Sequence, residues 1–104
     1  MRFGLNKQTI ENLHEVLGLY PQIKEVKIFG SRAKGNFHEG SDIDLCITNG
    51  VLSERELNEL KTKIDDLMIP YRVDIVMYEK LENSDLKEHI DRVGKVFYNR
   101  INNH

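Results

Sequence analysis

The segment Asp42-Ile43-Asp44-Leu45-Cys46-Ile47-Thr48 constrains this chain most. Polar and apolar residues alternate along it, the pattern of a half-buried strand. Successive side chains on a strand point to opposite faces. Ile43, Leu45 and Ile47 therefore share the face that packs, while Asp42 and Asp44 share the other, their α-carbons roughly 6–7 Å apart. Two carboxylates aimed the same way repel: they must be solvated, one must be protonated, or a cation must sit between them. Taken alone, the pattern favours two solvated acids on an exposed strand face over a site. A second segment, Tyr71 to Met77, repeats the design, with Val73 and Ile75 pointing one way and Asp74 the other. Alone, Asp74 reads as a salt-bridged acid on an edge strand, but a sheet can set it beside the Asp42/Asp44 pair. Three clustered carboxylates suit a hard cation that prefers oxygen ligands, magnesium above all. They also suit a two-metal arrangement with ions about 3.5–4 Å apart.

The remaining elements alternate around these strands. Residues 7–19 are expected to form a helix, with Ile10, Leu13, Val16 and Leu17 at helical spacing, Asn6 as N-cap and Tyr20-Pro21 as terminator. Val26 to Phe29 reads as a strand, Gly30 to Gly35 as a turn opening a short helix, and Asn36 to Ser41 as a loop. Asn49-Gly50 is a turn signal. Residues 54–68 read as a helix with a Ser53/Glu56 capping box and a stripe of Leu57, Leu60, Ile64 and Leu67, stopped by Pro70. Ser84 is expected to cap a last helix, with Leu86, Ile90 and Val93 inward and Gly94 at its end. Lys95 to Tyr98 is read as extended, because Gly94 interrupts the helical stripe. Three strands alternating with helices give a small sheet with helices packed mainly on one face.

Composition removes several classes. The 104 residues read as a single domain spanning 1–104. Fifteen basic against seventeen acidic residues leave a net charge of −2, which argues against a protein that grips nucleic acid by bulk charge. The lone cysteine, Cys46, allows neither a disulfide framework nor a cysteine-based zinc site, and it fits a reducing cytoplasm. It is expected to be a partly buried thiol. His14, His38, His89 and His104 are scattered without metal-ligand spacing. No run approaches the roughly 18–20 apolar residues of a membrane span, and the N-terminus lacks the apolar stretch of a signal peptide.

Gly30-Ser31 follows an apolar strand directly. Glycine lets backbone approach a phosphate closely, and the serine hydroxyl is a small donor. Arg32 and Lys34 add positive charge. The bland alternative is a plain glycine turn with a serine cap. Gly30 to Gly35 is not a P-loop, since Asn36 and Phe37 follow where Lys and Ser/Thr belong. No strand is followed by the dinucleotide-binding G-x-G-x-x-G either. A phosphate cradle and an acidic cluster on adjacent strands point to a nucleoside triphosphate held as its magnesium complex.

Gly30-Ser31, ten residues, then Asp42-Ile43-Asp44 matches the G-S-x10-D-x-D signature of the DNA polymerase β-like nucleotidyltransferases. The fuller text GSRAKGNFHEGSDIDL resembles the minimal nucleotidyltransferase (MNT) group, and Asp74 falls where that family's third carboxylate is expected. The resemblance implies an α+β palm fold with a small mixed sheet. It also implies a site in which Asp42, Asp44 and Asp74 hold two Mg2+ ions. Asp74 would help deprotonate an acceptor hydroxyl, and Gly30 and Ser31 would hold the β- and γ-phosphates of ATP. Arg32 is a weaker candidate for the phosphates; pairing with an acidic residue of the fold is its alternative. A stand-alone MNT domain resembles the antitoxin half of HEPN–MNT toxin–antitoxin systems. That implies AMP transfer to a tyrosine of a HEPN ribonuclease partner, with neither membrane nor direct nucleic-acid contact. A nucleotide-binding module that neutralises its partner by complex formation, or a small-molecule nucleotidyltransferase with its acceptor domain on another chain, stays open.

Overall fold

The structure, a computed structural model, describes residues 2–100. Its elements are α1 (Lys7–Leu17), β1 (Glu25–Phe29), α2 (Gly30–Lys34), β2 (Ile43–Asn49), α3 (Glu54–Asp65), β3 (Val73–Met77), α4 (Ser84–Val93) and β4 (Lys95–Asn99), with a single 3-10 turn at Tyr78–Lys80. The strands form one mixed sheet in the order β3-β2-β1-β4. β1 pairs antiparallel with β2 and β4, and β2 pairs parallel with β3. The parallel pair needs a crossover, and α3 supplies it.

Cap chemistry sets the helix boundaries. The Asn6 side chain accepts from the Thr9 N–H at 2.8 Å and opens α1. The capping box at α3 forms in both directions: Glu56 N–H donates to Ser53 Oγ (3.1 Å) and Ser53 N–H to Glu56 Oε1 (2.9 Å). Three expected boundaries move. α1 stops at Leu17, before Tyr20-Pro21, because Leu19 and Tyr20 donate three residues back to Val16 and Leu17 and tighten the last turn. α3 closes at Asp65 rather than 68 in the same way, through Leu67 to Ile64 and Met68 to Asp65, with Met68 at φ +56°. The cap of α4 is Asn83, whose side chain accepts from both Asp85 and Leu86, and Ser84 is the first helical residue.

The main core lies on one face of the sheet. Val26, Ile28, Ile43, Leu45, Ile47 and Ile75 pack there against Leu13 and Leu17 of α1 and Leu60 and Ile64 of α3. α4 crosses the opposite face, where its Ile90 and Cys46 of β2 are both fully buried. The thiol is thus enclosed rather than partly buried, and burial pushes it up to about 11. Lys95 to Tyr98 is extended, as expected, and forms the fourth strand. A register shift between Val26 and Lys27 lets the adjacent Phe97 and Tyr98 both turn inward. Gly94 ends α4 in extended backbone at φ −62°, not in the left-handed cap form. Its N–H donates to the Ile90 carbonyl at 2.8 Å, and a side chain there would collide with that carbonyl.

Candidate active site

Strand pairing gathers the carboxylates. In the parallel β2/β3 pair, Asp44 lies opposite Asp74, about one strand spacing away, ~4.8 Å. Asp42 stands just ahead of β2, where the Ile43 N–H donates to the Arg72 carbonyl at 2.8 Å. Asp44 is the focus. Burial raises its carboxyl above the ordinary range, and the Asp74 and Asp42 carboxylates raise it further; Arg72 and His89 act in the opposite sense. Arg72 Nε sits 3.4 Å from Asp74 Oδ1, in an exposed pair that contributes little to stability. A cleft of about 430 Å3 passes this edge of the sheet, lined by Asp44, Asp74, Phe29 and Val76 together with Lys61 and Asp65 of α3.

Among the described residues, no three His, Cys, Asp or Glu side chains converge into a ready-made metal cage. The donor chemistry nevertheless fits magnesium. That ion keeps several waters and is usually held by one or two carboxylates plus the phosphates of its substrate, not by an all-protein shell. An acidic group whose charge is opposed by two neighbours gains from a cation beside it.

Gly30 sits directly against this cluster. Phe29 is the register partner of Asp44, so the next residue turns past the carboxylate. A Cβ on Gly30 would lie 2.5 Å from Asp44 Oδ2, and its φ is +73°. Both facts demand glycine. Ser31 follows in α2, half-buried. The structure therefore brings Gly30, Asp44 and Asp74 together, with Ser31 and Asp42 flanking.

Arg32 is the exception. It is 2% exposed, and its guanidinium turns inward, away from the cradle. Nε and Nη2 donate to the Ser41 carbonyl (3.1 and 2.8 Å) and Nη1 to the Phe3 carbonyl (2.9 Å). The rings of Phe37 and Tyr71 flank it at 5.3 and 4.7 Å. Expected at the phosphates, Arg32 is here committed to two backbone carbonyls and two aromatic faces. Among the described residues it has no acidic partner within ion-pair distance either. It fixes the loop that delivers Asp42.

Sequence reasoning missed His89. The Gly30 N–H donates to its Nε2 at 3.2 Å, and its ring stands edge-on to Phe29 with centroids 6.0 Å apart. Fifty-nine residues separate the partners, and no spacing rule links them. His38 stays in the loop, exposed, its backbone N–H donating to Ser41 Oγ at 3.0 Å. Tyr98 is buried in the core, and the Tyr78 hydroxyl donates to Asp91 at 3.0 Å.

With a glycine backbone pressed against paired carboxylates at the parallel edge of a small mixed sheet, the chain belongs to the polymerase β nucleotidyltransferase family, whose model matches residues 11–103. Within that class, it is similar to chains of toxin–antitoxin complexes. One, solved with AMP-PNP, is 25% identical, with 91% of this chain and 74% of that chain covered and a TM-score of 0.69. Two others are likenesses of fold alone. A tri-AMPylated Shewanella oneidensis HEPN toxin in complex with MNT antitoxin is 18% identical over 95% and 76% of the two chains, TM-score 0.68. An MntA–HepT toxin–antitoxin is 18% identical over 94% and 76%, TM-score 0.66. No curated protein sequence matches the chain significantly. Among the described residues, no helix is long and apolar enough to cross a membrane.

Proposed function

We propose that this chain is a cytoplasmic antitoxin that transfers AMP from magnesium-bound ATP to a tyrosine hydroxyl of a HEPN-domain toxin, and so silences it. The observation that carries this reading is the junction of the Gly30 backbone with the Asp44 carboxylate, opposite Asp74 on the neighbouring parallel strand. The likeness to a toxin–antitoxin complex with AMP-PNP supports the choice of nucleotide and partner.

In this reading Gly30 and Ser31 hold the β- and γ-phosphates through backbone N–H and hydroxyl donors. Asp42, Asp44 and Asp74 hold two Mg2+ ions, which when bound neutralise phosphate charge and polarise the reacting oxygens. Asp74 takes the proton of the acceptor hydroxyl. The acceptor oxygen bonds to the α-phosphorus, the bond from that phosphorus to the bridging oxygen breaks, and pyrophosphate leaves. No covalent enzyme intermediate is formed, so positioning and charge neutralisation supply the catalysis. Arg32 contributes from behind, by holding Ser41 next to Asp42.

The test is to co-express the chain with a HEPN partner, supply ATP and Mg2+, and measure intact masses. An AMP-sized gain on the partner is expected. It should fall by more than about a hundredfold in rate with Asp42→Asn plus Asp44→Asn, the usual scale for losing transition-state charge stabilisation. A tight complex without mass gain would instead establish the complex-forming module.

A further inference from the structure

His89 stands at the proposed nucleotide site without a role in the chemistry derived above. It projects from α4, on the sheet face that carries the carboxylates, and is half-buried. Its Nε2 accepts the Gly30 N–H at 3.2 Å. An imidazole nitrogen that accepts carries no proton, so in the nucleotide-free protein the proton is on Nδ1. Any phosphate oxygen that takes the Gly30 N–H must stand where Nε2 now stands. The ring cannot travel far, because Phe29 lies edge-on against it and α4 packs on β1. It must turn aside and remain next to the oxygen that displaced it. There the other tautomer, with the proton on Nε2, is a donor. Arg32, the cation expected at this place, is spent on the Ser41 and Phe3 carbonyls. That leaves His89 as the side chain holding this amide.

We propose that His89 is a triphosphate-binding residue: it holds the Gly30 amide in the nucleotide-free protein and donates to the phosphate oxygen that takes its place. The inference rests on the nucleotide reading above.

Calorimetric titration of the full chain with AMP-PNP and Mg2+, and separately with AMP and Mg2+, tests it. Thermal midpoints should show that each variant is folded. His89→Ala is expected to weaken AMP-PNP binding about tenfold or more, the scale of a hydrogen bond to a charged group. AMP, which lacks the β- and γ-phosphates, should change less than about twofold. His89→Gln should stay within about threefold of wild type, because its side-chain amide reaches as far as Nε2 and can both accept and donate. The proposal is overturned if His89→Ala binds AMP-PNP as well as wild type or better, if AMP and AMP-PNP weaken equally, or if glutamine is no better than alanine. Wild-type protein that fails to bind AMP-PNP at all would overturn the nucleotide reading itself, a result seen without any variant.

Discussion

At the scale of single residues, the proposed function and stability pull against each other at Asp44. Its carboxyl is raised by burial and by the Asp74 and Asp42 charges. An acid raised in the folded state binds its proton more readily there than in the unfolded chain. The penalty on folding is therefore fully present above the raised value and disappears as pH falls below the ordinary one. Asp44→Asn should accordingly raise the thermal midpoint at neutral pH by a few degrees, about the shift of a modest stabilising substitution, while abolishing the proposed AMP transfer. The gain should shrink as the buffer is taken to about pH 4, near the ordinary aspartate range. A midpoint that is unchanged or lower at pH 7 would contradict the clustering of the three acids. Arg32 shows the opposite case. A cation next to a phosphate motif invites a binding role, yet its three hydrogen bonds to backbone carbonyls make it a fixture of the loop.

At the scale of elements, alternation and capping patterns were the legible part. Strands β2 and β3 follow from Ile43, Leu45 and Ile47 against Asp42 and Asp44, and from Val73 and Ile75 against Asp74, because a period of two survives any tertiary context. The α3 cap was equally readable, since both bonds of its box lie within three residues. The α4 cap was misplaced by one residue because Asn83 and Ser84 are both good caps and only geometry chooses between them. Asn83→Ala should cost about 1 kcal/mol in chemical denaturation, and Ser84→Ala only a few tenths. Equal losses would return the cap to Ser84. The sequence placed Asp74 beside Asp44 across the sheet, but it could not supply contacts between segments that share no motif. The bond from Gly30 to His89 and the inward turn of Arg32 join segments with no common periodicity. The path of β4 also depends on a register shift against β1 that no local pattern encodes.

For the molecule as a whole, the two faces of the sheet behave differently. One carries the continuous apolar core, and the other holds the acidic cluster at one end and Cys46 beneath α4 at the other. A thiol fully enclosed and pushed up to about 11 is inert to disulfide reagents until the sheet opens. The rate of Cys46 labelling should therefore track global unfolding across a denaturant series, a test read by mass spectrometry. Labelling that is fast in buffer would mean that α4 lifts from the sheet without the core. The Arg32 clamp also changes how the spacing between Gly30-Ser31 and Asp42 should be understood. Arg32 grips Ser41 from one side, and the His38 N–H bonds the Ser41 hydroxyl from within the loop. The intervening chain is thus a measuring rod pinned at both ends, not a slack spacer. The ten residues of the motif are the length needed to walk from an amide to a carboxylate around one buried guanidinium, so a count read off a sequence is here a distance held by a side chain.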